Sequence, residues 1–316
     1  MNKIRKTTLL LLIFAAFYVP ASHAAQKFTL ILDWFPNVDH LPIYVARQQG
    51  FFAEEGLEIE VISPSETSDG LKMAAAGKVD MAVSYEPQTI IAAARGLEVA
   101  VVGRLIEHPL TTLLFLKNKG IASPKDLTGK KIGYTVPGLM DVLLKAFARV
   151  NEIGDYTAIN VGFAIVQSLT AGKVDAVMGP FKTYETVTMA HKGYETGYFE
   201  LEKWGIPDYD ELIFITSKNT LARNRTAMAA FRRVVDRAMR QVRQNPQQAL
   251  TDYFKQVPQA DRKTEIDAFK LTLPFYAFDQ KMDVNRWQEF ADFAFKYGLI
   301  DRKVAAGAFL WSGGNE

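Results

Sequence analysis

The residues able to do chemistry gather where short β-type runs end. Trp34 and Asn37 follow the first such run, Tyr85 and Glu86 follow a second, and Phe181, Tyr184 and Glu185 follow a third. Aromatic faces offer stacking area at little rotamer entropy, a carboxylate accepts from an exocyclic amine, and an Asn amide both donates and accepts. Such a set suits a flat heteroaromatic ligand. No arginine stands at these tips, so a phosphate or sulfonate would depend on a bare helix N-terminus, for which Gly138 is the candidate. Plainer roles stay open: an aromatic at a strand end can plug a core, and Glu86, just before Pro87, can cap a helix. Glu107-His108-Pro109 either lines a cleft or forms a hinge salt bridge.

Catalytic apparatus is harder to find. His23, His40, His108 and His191 lie far apart without metal-ligand spacing, and there is no cysteine for thiol catalysis, disulfides or a cysteine metal site. Walker, Gly-x-Ser-x-Gly and Gly-x-Gly-x-x-Gly motifs are absent, which leaves NTP hydrolysis, acyl transfer and Rossmann-type dinucleotide binding without their usual means. The expectation is a binding protein that works with no cofactor or metal, and not an enzyme.

The elements that must position these residues follow an α/β pattern. Phe28 to Leu32 reads as a strand ended by Pro36 and Asn37; His40 to Gln49 reads as a helix closed by Gly50, and Leu57 to Ile62 alternates as the next strand. Continued alternation predicts mainly parallel sheets covered by helices, with ligands beyond the carboxyl ends of strands. The segment Ala-Gly-Lys-Val-Asp occurs twice, at 76–80 and 171–175, each time after a helical run and before a short apolar strand. Two similar halves are implied. A chain that enters a second lobe and returns would make Thr111 to Leu116 and Leu212 to Ile215 a pair of crossing strands, and so a hinge. The predicted lobes are 25–112 with 213–316, and 113–212. Helices are expected over Arg225 to Arg243, Pro246 to Phe254 and Trp287 to Tyr297.

Residues 1–24 read as an export signal. Lys3, Arg5 and Lys6 precede an apolar run from Leu9 to Val19, shorter than the roughly 20 residues of a membrane span, and Ser22-His23-Ala24 offers a cleavage site. Without that leader the 37 basic residues fall to 34 against 35 acidic ones, so no nucleic-acid footprint remains. With no cysteine to carry a lipid anchor, the product is expected free in a periplasm, as a monomer.

Leu32-Asp-Trp-Phe-Pro-Asn37, Tyr44-Val-Ala-Arg47, Gly50-Phe-Phe-Ala-Glu-Glu-Gly-Leu57 and Gly129-Lys-Lys-Ile-Gly-Tyr134 resemble the family that holds thiamine-pyrimidine binding proteins. Phe181-Lys-Thr-Tyr-Glu185 and Trp204-Gly-Ile-Pro-Asp-Tyr-Asp-Glu-Leu-Ile213 are similar to its ThiY type. The resemblance implies a type II periplasmic-binding-protein fold, two α/β lobes joined by a two-strand hinge. It also implies a pyrimidine ligand, N-formyl-aminopyrimidine or hydroxymethylpyrimidine, delivered to an inner-membrane ABC permease. Riboflavin or an alkanesulfonate is the alternative solute. The same family contains a fungal pyrimidine synthase whose lysine and histidine fall by alignment at Ser84 and Gln88, so the resemblance implies that this chain lacks its Schiff-base amine.

Overall fold

The computed structural model describes residues 25–313; the leader expected at 1–24 lies outside them. The described residues carry ten strands in two five-stranded sheets. The strands are β1 (Gln26–Ile31), β2 (Leu57–Ile62), β3 (Met81–Ser84), β4 (Val99–Ile106), β5 (Thr111–Leu116), β6 (Lys131–Tyr134), β7 (Thr157–Asn160), β8 (Ala176–Phe181), β9 (Thr196–Glu200) and β10 (Leu212–Ser217). The sheet orders are β2-β1-β3-β10-β4 and β7-β6-β8-β5-β9. The two sheets therefore share one plan, with β1, β2 and β3 answering to β6, β7 and β8.

The repeated segment explains part of this likeness. In each copy a glycine in the left-handed region, Gly77 at φ 66° and Gly172 at φ 67°, ends a helix and turns the chain into a strand. The aspartate that closes each copy then anchors the neighbouring parallel strand. Asp80 Oδ2 accepts from the Thr29 amide at 2.9 Å, and Asp175 Oδ2 accepts from the Lys131 amide at 3.0 Å.

The expected parallel sheets prove to be mixed. β1, β2 and β3 pair in parallel, as do β6, β7 and β8, but β10 runs antiparallel to β3 and β4, and β5 antiparallel to β8 and β9. The proposed crossing strands do not pair with each other. β5 and β10 instead take the same antiparallel place in opposite sheets, each beside the strand of the repeat. The crossings are the short segments between β4 and β5 and between β9 and β10. All residues of β4, β5 and β10 are buried, as expected of strands sandwiched on both faces.

Helices cover both sheets. The 20-residue helix Arg225–Gln244 packs Phe231 edge-on to Phe214 of β10, centroids 4.9 Å apart, and stacks it on Phe52 at 5.7 Å. Helix Pro246–Gln256 sets Tyr253 against Tyr44 of helix Leu41–Gln48. Helix Arg262–Thr272 starts at Asp261, whose carboxylate takes the Thr264 amide at 2.7 Å, and it touches both helix Glu185–His191 and the turn Val38–His40. Among the described residues no helix is long and apolar enough to cross a membrane.

The crossings are held by charge. Glu211 accepts from the Leu110 amide (2.6 Å), the Thr111 amide (2.7 Å) and hydroxyl (2.8 Å), and the Tyr209 hydroxyl (3.3 Å). Asp210 meets Arg286, Arg104 (3.4 Å) and the Trp287 indole N–H (2.8 Å). Of the two roles open to Glu107-His108, the hinge is the one observed: Arg104 and Glu107 pair at 3.2 Å, and His108 and Asp208 at 3.0 Å.

Candidate ligand cleft

A narrow cleft lies between the two sheets, lined from both sides. The first sheet and its loops contribute Asp33, Trp34, Asn37, Asp39, His40, Tyr85 and Leu212; the second contributes Thr135, Ile165, Gly179, Phe181, Tyr184 and Glu185. These residues sit at strand tips or in the loops that leave them, as the α/β pattern requires. Gly179, at φ 126°, is placed so that a Cβ there would overlap the Thr135 side chain, so the close approach of those two strand tips depends on glycine.

The lobes meet across the cleft. Thr67 donates its hydroxyl to the Thr135 carbonyl at 2.8 Å, Tyr184 donates to Glu265 Oε1 at 2.8 Å, and Trp34 meets Phe163 edge-on with centroids 4.6 Å apart. His191 pairs with Asp267 at 3.1 Å. The two lobes are thus in direct contact around the cleft.

Six of the eight candidates from the sequence share this cleft: Trp34, Asn37, Tyr85, Phe181, Tyr184 and Glu185. Tyr85 donates to Asp33 Oδ2 at 2.7 Å, and Glu185 Oε2 accepts from the Phe181 amide at 2.7 Å. Asn37 spends its oxygen on the Asp39 amide at 2.8 Å, capping the turn Val38–His40, which leaves its NH₂ group for a ligand.

Two candidates fall elsewhere. Glu86 opens helix Glu86–Ala94 but is fully buried towards the hinge, where Oε2 accepts from the Asp210 amide at 2.8 Å. Burial and the Asp210 charge push its carboxyl well above the ordinary range, and nothing on it reaches the cleft. The Gly138 amide, offered as an anion site, donates to Asp141 Oδ1 at 2.6 Å, so a carboxylate of the chain already occupies that helix start.

Asp33, Asp39, His40, Thr135, Ile165, Gly179 and Leu212 line the cleft as well, though the sequence did not mark them as ligand contacts. Asp33 is the most connected: Oδ1 meets His40 Nε2 at 2.8 Å while Oδ2 holds Tyr85. Burial raises Asp39 to about 7, opposed by His40 and the Thr272 hydroxyl and assisted by the charges of Glu185 and Asp33. Burial likewise raises Glu185 to about 7, and Glu265, behind Tyr184, to about 7. The cleft thus concentrates carboxylates from both lobes, with no lysine or arginine among the residues that line it.

A pH effect follows. Asp39, Glu185, Glu265 and Glu211 all keep their protons to about 7 when folded, against 3.8 for Asp and 4.5 for Glu otherwise. Between those values the folded chain binds more protons than the unfolded one, so stability grows as pH falls from 8 towards 5. Scanning calorimetry of the ligand-free protein is expected to give a Tm several degrees higher at pH 5.5 than at pH 8. A Tm that rises with pH over this range would contradict the assignment.

A model of the family described as NMT1/THI5 like matches residues 37–249. A Haemophilus influenzae protein assigned to thiamine biosynthesis is 38% identical over 291 residues, 90% of this chain and 91% of that protein. The chain belongs to the NMT1/THI5-like family. Other NMT1/THI5-like relatives differ in what they are named for. The formylaminopyrimidine-binding protein of Halalkalibacterium halodurans is 33% identical over 230 residues, 72% of this chain and 69% of its own length. The 4-amino-5-hydroxymethyl-2-methylpyrimidine phosphate synthase of Aspergillus parasiticus is 26% identical over 292 residues, 88% and 84% of the two chains. In fold this NMT1/THI5-like chain is similar to the alkanesulfonate-binding protein SsuA of Xanthomonas axonopodis pv. citri, with a TM-score of 0.72 at 15% identity, covering 90% of this chain and 98% of that one. The architecture is the type II periplasmic-binding fold.

Proposed function

We propose that this chain is the periplasmic solute-binding component of an ABC importer and that its ligand is a thiamine-precursor aminopyrimidine, N-formyl-aminopyrimidine or hydroxymethylpyrimidine. The observation that carries the reading is the chemistry of the cleft wall: Trp34, Tyr85, Phe181 and Tyr184 stand around carboxylates, with no lysine or arginine beside them. An aminopyrimidine ring stacks on such rings, donates from its amine to a carboxylate, and accepts at a ring nitrogen from a protonated one. A sulfonate would find carboxyl groups and no guanidinium or ammonium there, and the one bare helix start considered for it is taken by Asp141. The named binding relative supports the same ligand class.

The synthase reading lacks a nucleophile in this chain. Ser84 stands where that relative's lysine falls by alignment and donates to Gln88 at 2.8 Å, so neither residue offers an amine for a Schiff base. Among the described residues no group of three or more His, Asp or Glu could hold a metal. In this proposal the lobes, 25–112 with 213–316 and 113–212, close on the ligand as a monomer after the leader at 1–24 is removed. The closed form then docks on an inner-membrane permease. Closure is driven by contacts that exist only when both lobes touch the ring.

Titration calorimetry of the mature protein is expected to show 1:1 binding of both pyrimidines and none of an alkanesulfonate or riboflavin. Trp34→Ala should weaken the pyrimidines at least about 10-fold, the scale of a lost aromatic stacking contact. Silence towards both pyrimidines, or heat only with the sulfonate, would overturn the proposal.

A further inference from the structure

Two buried polar atoms on consecutive residues have no partner in the protein. Asp39 and His40 are each 1% exposed, and both line the cleft. Asp39 Oδ1 accepts from the Thr272 hydroxyl at 3.0 Å, but Oδ2 meets nothing; His40 Nε2 is held by Asp33 at 2.8 Å, but Nδ1 meets nothing. Buried polar groups in folded proteins are nearly always paired, so an orphan on each of two adjacent residues that line one cavity points to what that cavity holds. Neither atom has a part in the ring stacking, nor in the contact by which Glu185, on the other lobe, would take the ligand's amine.

We propose that Asp39 and His40 form a second polar reader, which holds a side arm of the ligand carrying a hydrogen-bond donor beside an acceptor, such as a hydroxymethyl or formamide group. This rests on the aminopyrimidine reading and adds what selects among such rings. Asp33 uses both oxygens as acceptors, for Tyr85 and for His40, which fixes an N–H on Nε2 and leaves Nδ1 without a partner in the protein. With one proton on either Asp39 Oδ2 or His40 Nδ1, one of the two is a donor and the other an acceptor. A hydroxyl or a formamide presents the same pair. A methyl group presents neither, and a carboxylate or sulfonate presents acceptors alone. Glu185 lies on the opposite lobe, so the amine edge and the arm of one ligand would be read from different walls.

The test is calorimetry with two probes, 4-amino-5-hydroxymethyl-2-methylpyrimidine and its arm-truncated analogue 4-amino-2,5-dimethylpyrimidine. The mature wild-type protein is expected to prefer the hydroxymethyl compound by at least about 10-fold, since a buried pair of orphans rejects an analogue without the group they need. In Asp39→Val that preference should collapse to within about 3-fold, and Asp39→Asn should keep most of it. The paired change Asp39→Val, Thr272→Val leaves neither former partner alone and serves if the single variant does not fold. Equal loss of both probes in Asp39→Val, or an unchanged preference, would overturn the reader. Wild-type silence to both probes would instead overturn the pyrimidine reading itself, and the reader with it.

Discussion

Glu185→Gln is expected to weaken aminopyrimidine binding roughly 100-fold while leaving the ligand-free protein as stable as before, or more stable at pH 8. Glu185 begins the helix after β8, and its Oε2 is tied to the Phe181 amide at 2.7 Å. The other oxygen is the one available to a ligand. In the variant the amide oxygen must keep the Phe181 bond, which turns the NH₂ group to the ring and sets donor against donor at the amine. Losing a hydrogen bond to a charged or shared-proton group and leaving an amine unpaired costs about 2–3 kcal/mol, which is the stated fold-change. The free protein loses nothing comparable, because a carboxyl raised to about 7 by burial is a cost to folding at pH 8 that the neutral amide removes. Calorimetry for affinity and scanning calorimetry for stability check both halves. An affinity within about 3-fold of wild type would remove Glu185 from the site.

Much of this cleft could be read in the sequence because strand tips are local features. A short apolar run ended by Pro36 and Asn37, or by Ser84 and Tyr85, announces both the strand and the residues delivered at its end. The Ala-Gly-Lys-Val-Asp echo carried further than its five residues, since its aspartate makes the same strand-to-strand bond in each sheet. Pairing was not legible in the same way. Whether β5 lies beside β10 or beside β8 is decided by contacts between residues tens of positions apart, and both arrangements bury the same apolar runs.

Asp39 and His40 escaped notice for a related reason. In sequence Asp39 closes a loop rich in turn formers and His40 opens the helix that follows, a context that reads as solvated. They are buried because helix Arg262–Thr272, more than 220 residues later, closes over the turn: Glu265 takes the Val38 amide at 2.9 Å and Thr272 reaches Asp39. Glu86 failed in the opposite sense. Its position after a strand and before Pro87 was correctly that of a helix start, but the returning chain at Asp210 comes within hydrogen-bonding reach and takes the carboxylate away from the cleft.

That returning chain is where a single change should harm the fold most. Glu211→Ala is expected to lower the Tm by roughly 6–20 °C, and the effect should be partly reversed by saturating ligand. The carboxylate is fully buried and ties one crossing to the other, accepting from the Leu110 and Thr111 amides and from the Thr111 and Tyr209 hydroxyls. Truncation leaves these donors without an acceptor in a region where Leu110, Thr111 and Tyr209 are themselves buried. Each orphaned buried donor costs about 1–3 kcal/mol, and allowing for water entering the space left behind, a total of about 3–5 kcal/mol follows. At about 2–4 °C per kcal/mol for a chain of this size, that is the stated fall in Tm. Glu211→Gln should fall between the two proteins, because its oxygen can serve the amides while its NH₂ group confronts the hydroxyl donors. Ligand that binds only the closed form adds stability in proportion to the logarithm of its concentration over Kd, so a variant loosened at the crossings regains part of its Tm when saturated. A loss of less than about 3 °C in Glu211→Ala would mean that the ion cluster of Arg104, Asp210 and Arg286 holds the crossings without it.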